Sequence, residues 1–398
     1  MVNLRASLLA VLCGVTLAHP GEHHDAAKRR RDIHHSEVGI RNAEAALAKC
    51  TGSVNGQTLA RRAAMRRAVK AAELREKRDI EHTRMRARQN QDLLDEYLQT
   101  CHDQTDVHGD WSKSTAHSMI FASNSTIGLA PETIIGPYWV GGEFIRSNIV
   151  DGEEGIPVHL DLQFIDISTC RPIPNMLVDV WHANSTGVYS GVVAGAGLNT
   201  TFLRGVQISD LEGVASFDTV FPGHYQGRVN HIHVTTNRGG RLLDNGTYAA
   251  GGKVNHIGQL YFDQELINAI EGMAPYTRNP MKVMHNVEDF LTVQQAGVNY
   301  DPFLDYVMLS EEPDDGLLMW ATVGVNASAD YTALATPGAW YYEGGGVDTS
   351  PRGNFTVPPG GFPPIPTGSS PPGGFPFPPA PTGTPKKYWG PCMKKRDV

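Results

Sequence analysis

Two histidines separated by a single residue, His231 and His233, are the best-spaced candidates for metal chemistry in this chain. They open the run His231-Ile232-His233-Val234-Thr235-Thr236, whose β-branched residues predict a strand. A strand's period of two sends both imidazoles to one face and Ile232 with Val234 to the other. Such a pair serves equally well as a metal clamp or as two hydrogen-bonded polar residues on a solvent face. Six residues before His231, Pro222-Gly223-His224-Tyr225 marks a turn that presents a phenol near the histidine strand, and Arg228 lies between them. A second cluster runs from Trp181-His182 through Asn184 and Gly187 to Tyr189, leaving a predicted strand for a glycine-containing loop, where functional groups commonly sit. Either tyrosine taken alone is more simply read as core or turn packing. No Asp or Glu lies between His231 and His233, so the facial triad of an Fe(II) oxygenase is not indicated. A zinc hydrolase would need a third ligand with a nearby general base, and none is evident. His182, His224, His256 and His285 read as ordinary hydrogen-bonded histidines.

The elements that must hold these groups are short strands. From about Trp111 to residue 343 the chain is punctuated by Gly, Pro and Asn, the texture of an antiparallel β-sandwich. Leu160, Leu162 and Phe164 alternate with Asp161 and Gln163, predicting a half-buried strand. Residues 177–181, 213–221 and 231–236 predict further strands, and late helical character is confined to 264–272 and 288–295. The fold class is therefore mainly β. Residues 36–110 are rich in Ala, Glu, Arg, Leu and Met and predict a helical N-terminal segment of two or three helices, broken at 51–58. Ser36 is the expected N-cap, and Leu93, Leu94, Tyr97 and Leu98 form an apolar stripe at the far end. Residues 344–398 are Pro/Gly-rich and predict an extended tail with no core.

Residues 1–18 pair a basic start with a short apolar run, as in a secretory signal peptide, and 19–35 form a polar, histidine-rich leader. Sequons at Asn124, Asn184, Asn199, Asn245, Asn326 and Asn354 agree with a secreted, extracellular glycoprotein. A glycan at Asn184 would crowd Tyr189, so that sequon is expected empty or outward-facing. With Cys13 in the signal segment, Cys50, Cys101, Cys170 and Cys392 remain; the expected disulfides are Cys50 with Cys101 and Cys170 with Cys392. A net charge of −8 argues against a nucleic-acid partner. The basic stretch at 61–88 reads as a solvated helix face rather than a polyanion site, and no later run is long enough to span a membrane.

The motifs taken together resemble the intradiol ring-cleavage dioxygenase family, in the protocatechuate and catechol dioxygenase superfamily, most closely its secreted branch known from fungi. The resemblance covers about residues 130–325. It rests on Thr-Ile-Ile-Gly-Pro-Tyr-Trp at 133–139, Val-Asp-Val-Trp-His-Ala-Asn at 178–184 leading to Gly187 and Tyr189, and Arg204-Gly-Val-Gln207 with Asp210 and Gly213. Pro222 to Tyr225, Arg228, His231-Ile-His233 and Gly258-Gln-Leu-Tyr-Phe262 complete it. It implies one non-haem Fe(III) held by Tyr189, Tyr225, His231 and His233, with Arg228 and Gln259 beside a small aromatic diol. Two phenolates and two imidazoles suit a hard ferric ion better than a thiolate set would. By the same resemblance, catechol displaces Tyr225, whose phenolate takes a catechol proton, and both atoms of O2 enter a muconate-type diacid. The interval from Tyr225 to His231 is shorter than in the bacterial enzymes, which affects substrate preference more than ligation. The rival is a non-catalytic, prealbumin-like β-sandwich binding module of the extracellular space, which would need no such quartet. The oligomeric state is left open, a homodimer included.

Overall fold

A computed structural model describes residues 49–50, 52–78, 102–104, 133, 135–242, 246–249, 252–295, 301–310, 313–342 and 345–349. A helix, α1 (Val54–Lys77), comes first, followed by β1 (Val140–Gly141), β2 (Pro157–Asp166), β3 (Arg171–Pro172), β4 (Leu177–Trp181) and β5 (Arg204–Ile208). Next are β6 (Val214–Val220), β7 (His231–Arg238), β8 (Arg241–Leu242), β9 (Tyr248–Ala249) and β10 (Lys253–Tyr261). The helices α2 (Gln264–Glu271) and α3 (Phe290–Gln295) precede β11 (Asp305–Met308), β12 (Leu317–Val325), β13 (Ala339–Tyr342) and β14 (Gly345–Asp348).

Two main sheets face each other. One has the order β10-β7-β4-β5, antiparallel throughout. The other runs β11-β12-β2-β3, with β6 also pairing β2; its β12–β2 ladder is parallel and the rest antiparallel. Leu160, Leu162 and Phe164 of β2 meet Val178 and Val180 of β4 and Ile232 and Val234 of β7 in the space between the sheets. Each buried aliphatic side chain of this kind contributes about 1.5–3 kcal/mol. The mainly β sandwich expected from the alternation is what the chain forms.

The opposite face of β2 departs from expectation. Asp161 and Gln163 are buried, because α1 lies across that face. Ala64, Ala68, Ala71 and Leu74 of α1 pack on Val307, Leu309, Leu318 and Trp320, the small alanines letting the helix sit close to the sheet. Arg66 grips Asp161 with two hydrogen bonds, at 2.9 and 2.8 Å, and Arg67 adds one at 3.1 Å. Burial opposes ionisation of Asp161, but the two guanidiniums outweigh it and bring the carboxyl down to about 2. Arg75 donates to the carbonyls of Leu309 and Met308, and Arg78 to that of Asp315. Several of the basic residues read as a solvated face therefore dock the helix instead.

Three further expectations are corrected. Cys50 is bonded to Cys170, with Cα atoms 5.1 Å apart, so neither Cys50–Cys101 nor Cys170–Cys392 forms. The bond ties the start of α1 to the β2–β3 turn. Helix α1 begins inside the expected break, capped by Ser53, whose hydroxyl accepts from the Gly56 amide at 3.0 Å. The β13–β14 ladder reaches Asp348, past the boundary expected at residue 343. The signal segment, the leader, Ser36, residues 93–98, Cys101 and Cys392 lie outside the described residues. Among the described residues no helix is long and apolar enough to cross a membrane.

Candidate metal centre

Strand β7 does what its period requires. Ile232 and Val234 enter the sandwich core, which leaves His231 and His233 together on the other face. Both histidines are buried, and their Nε2 atoms are 3.1 Å apart. The Nδ1 of His231 lies 2.6 Å from the Val229 carbonyl, which accepts its proton and leaves Nε2 as the lone-pair donor. Trp181, paired with His233 across β4 and β7, stacks on the His233 ring at 4.7 Å and 7°. Each imidazole is thus fixed in orientation, His231 by a hydrogen bond and His233 by a stacked ring.

The two tyrosines close on this pair from neighbouring turns. The Tyr189 ring lies 6.2 Å from that of His233 and 5.5 Å from that of Tyr225, and Tyr225 lies 5.5 Å from His231. Tyr138, from the Gly-Pro-Tyr-Trp segment, stacks on Tyr189 at 4.4 Å and meets Tyr225 edge-on at 5.7 Å. The Tyr189 hydroxyl is buried and has no hydrogen-bond partner among the described residues. Burial pushes both phenols well above the ordinary tyrosine range, the Arg228 guanidinium opposing it in each. A high-valent cation placed among them would reverse that shift, as bound metals do for water and thiols.

Arg228 stands beside Tyr225 in a closed network. Its Nη1 donates to the Tyr225 hydroxyl at 3.3 Å, and its Nη2 donates to Gln259 Oε1 at 2.6 Å and to the Tyr261 hydroxyl at 3.1 Å. Its Nε donates to Asp289 Oδ2 at 2.7 Å, and both side chains are buried. Burial disfavours the charge on Arg228, but Asp289 and the phenols outweigh it and keep the guanidinium protonated. Strand register brings Gln259 here: it pairs with His233 across β10 and β7, as Tyr261 pairs with His231. All six residues singled out in the sequence are therefore gathered in one place. Sequence reasoning missed Asp289, which sits 61 positions from Arg228 with no local motif to mark it, and gave no role to Tyr138 or Tyr261.

His182 and His224 are hydrogen-bonded as expected. His182 Nε2 contacts the Thr219 hydroxyl at 2.7 Å, and burial lowers its pKa to about 4. His224 is held by Glu271 at 2.7 Å and by the Met281 carbonyl at 3.0 Å. Among the described residues no group of three or more His, Cys, Asp or Glu side chains is placed to hold a metal. The donor set here draws half its members from phenols instead. One orphaned buried hydroxyl, a second phenol and two converging imidazole nitrogens fit a hard trivalent ion.

A family model described as Dioxygenase matches residues 139–269, the stretch carrying all four side chains. Among solved structures, an intradiol ring-cleavage dioxygenase from Tetranychus urticae is 30% identical, over 52% of this chain and 100% of that one, with a TM-score of 0.45. The dioxygenase domain of a dioxygenase and carbohydrate-binding fusion protein from Streptomyces is 22% identical over 50% of this chain and 99% of that one, with a TM-score of 0.34. A catechol 1,2-dioxygenase from Acinetobacter is 19% identical over 50% and 63% of the respective chains, with a TM-score of 0.33. No curated protein matches. With the dioxygenase model spanning the quartet and 30% identity along the whole of the Tetranychus protein, the chain belongs to the intradiol ring-cleavage dioxygenase family.

Proposed function

We propose that this chain is a secreted, ferric, non-haem enzyme that opens catechol-type rings with O2 between the two hydroxyl-bearing carbons, yielding muconate-type diacids. The observation that carries the proposal is the convergence of Tyr189, Tyr225, His231 and His233, with the Tyr189 hydroxyl buried and unpartnered among the described residues. Those four residues would hold one Fe(III). The ion, when bound, supplies Lewis acidity toward the diol and oxygen. What the chain supplies follows from its own geometry. The Val229 carbonyl fixes the tautomer of His231. Tyr225 would take a proton from the incoming diol at its phenolic oxygen, and Arg228, 3.3 Å from that oxygen, would stabilise its phenolate form. Gln259 and Asp289 hold that guanidinium in place, so it also meets negative charge developing on the ring without reorganisation.

The disulfide between Cys50 and Cys170 supports export to an oxidising compartment, as do the sequons and the signal-like start. The decisive experiment is ferric titration of the purified chain with O2 uptake on catechol, hydroxyquinol and protocatechuate. We expect one ion per chain, a visible phenolate-to-metal band and uptake of one O2 per ring cleaved. A protein that gains neither colour nor oxygen uptake at saturating ferric ion would refute the assignment.

A further inference from the structure

The turn that carries Tyr189 and the turn that carries Tyr225 meet at Asn184. Its Oδ1 accepts from the Thr186 amide at 3.1 Å, the Thr186 hydroxyl at 3.0 Å and the Val188 amide at 3.0 Å. Its Nδ2 donates to Glu153 Oε2 at 2.8 Å. The Asn184 carbonyl accepts from Gly187 N at 2.9 Å, within the first turn, and from Gly223 N at 3.1 Å, within the second. The junction has no spare room. A Cβ on Gly187 would strike the His224 carbonyl, and one on Gly223 would strike the carbonyls of Asn184 and Ser185. Gly187 also has φ +82°, a left-handed conformation that glycine adopts without strain.

We propose that Asn184 is a positioning residue that latches the two tyrosine turns together and so sets the separation of the two phenols, and that its Asn-Ser-Thr sequon stays unglycosylated. The proposal rests on reading Tyr189 and Tyr225 as metal ligands. A metal site demands ligand placement within about 0.5 Å, more than two loops achieve independently, and one residue bonded to both removes that freedom. A sugar would attach at Nδ2, the atom that Glu153 engages, in a turn packed against Gly223. Asn326 offers the contrast: its sequon is exposed, with Oδ1 accepting from the Ser328 amide at 3.1 Å and hydroxyl at 2.7 Å.

The test compares full-length wild type, Asn184→Ala and Thr186→Val, each expressed through a eukaryotic secretory pathway. Both variants destroy the sequon, but only Asn184→Ala removes the side chain that folds its own turn and so aims the Asn184 main-chain carbonyl at Gly223 N, whereas Thr186→Val costs the single hydroxyl bond to Oδ1. Glycopeptide mapping should find Asn184 unmodified in the wild type, with Asn326 as the exposed control. In Asn184→Ala, hydrogen exchange at the Val188 amide should quicken roughly five- to tenfold, and exchange at the Gly223 amide, on the other turn, should quicken as well. The visible band on ferric titration should shift in Asn184→Ala and stay near that of the wild type in Thr186→Val. A glycan at Asn184, or unaltered Gly223 exchange and an unaltered band in Asn184→Ala, would overturn the proposal. A wild type that develops no band removes the ligand assignment instead, and the exchange and glycopeptide results then still judge the latch.

Discussion

Asp289 divides its carboxylate between two tasks: Oδ2 accepts from Arg228 Nε at 2.7 Å, while Oδ1 accepts from the Leu291 amide at 2.9 Å, at the start of α3. The same Oδ2 takes the Val229 amide at 3.0 Å. One buried residue thus fixes the guanidinium, the backbone leading into the histidine strand and the first turn of a helix. In Asp289→Asn the charge on Arg228 is left uncompensated in a buried site, which costs about 3–5 kcal/mol. Urea unfolding of the variant should show that loss. Turnover should fall about a hundredfold from misplacement of Arg228, with ferric binding retained. Stability and turnover both equal to the wild type would show that Arg228 does not depend on this partner.

Arg228→Ala tests the other end of the pair. Ferric ion should still bind, because the four proposed ligands are untouched, and oxygen uptake on catechol should drop by at least about a hundredfold. Undiminished uptake would remove Arg228 from the reaction.

Tyr189→Phe separates ligation from stability. The hydroxyl it removes is buried and makes no hydrogen bond to the described residues, so the metal-free variant should be as stable as the wild type, or more stable by about 1 kcal/mol. Ferric affinity should fall by at least about a hundredfold, more than is usual for losing a residue that only supports a ligand. Parallel urea melts and ferric titrations check both halves. A strongly destabilised variant that still binds ferric ion tightly would mean the hydroxyl is structural.

How far the site could be read in advance depended on how local its causes are. His231 and His233 share a face because of strand period, a property of three adjacent residues, and the turn at Pro222-Gly223 lies close enough in sequence to carry Tyr225 with it. Asp289 was invisible, because its contact with Arg228 spans 61 positions and depends on where α3 lands. The outer face of β2 misled for a related reason: Asp161 looks solvent-facing in an alternating strand, and only the docking of Arg66 and Arg67 from α1 makes it buried. The disulfide misled because sequence proximity favoured Cys101, whereas bonding requires Cα atoms within about 7 Å, a condition Cys170 meets across 120 residues.

That disulfide and the arginine contacts hold α1 on the sheet jointly. Breaking a crosslink that closes so long a loop should lower stability by about 2–5 kcal/mol. We expect Cys50→Ser with Cys170→Ser to lower Tm, to speed hydrogen exchange along α1, and to leave the visible band of the ferric protein unchanged, since α1 lies across the sheet that does not carry the histidines. A Tm unaffected by the double substitution would show that Arg66, Arg67 and the alanine face suffice.

His102 gives the fold a dependence on alkaline pH. It is buried, with Nε2 2.8 Å from Asp301 and Nδ1 3.9 Å from Asp263, and its backbone carbonyl accepts from the Tyr306 amide. Burial opposes its protonation, but Asp301, with Asp263 and Asp305 further off, outweighs burial and raises its pKa to about 9. A histidine whose pKa is higher in the folded than in the unfolded chain stabilises fully below about pH 6.5. That contribution is lost as pH rises through about 9. Between those limits the unfolded chain has released the proton while the folded one keeps it, so unfolding free energy should decline by a few kcal/mol, on the order of the linked shift. His102→Gln keeps a polar side chain without the titration, so its stability should be lower at pH 6 and flatter from pH 7 to 9. Equal slopes for variant and wild type, measured by urea unfolding across that range, would show that His102 is neutral in the folded chain.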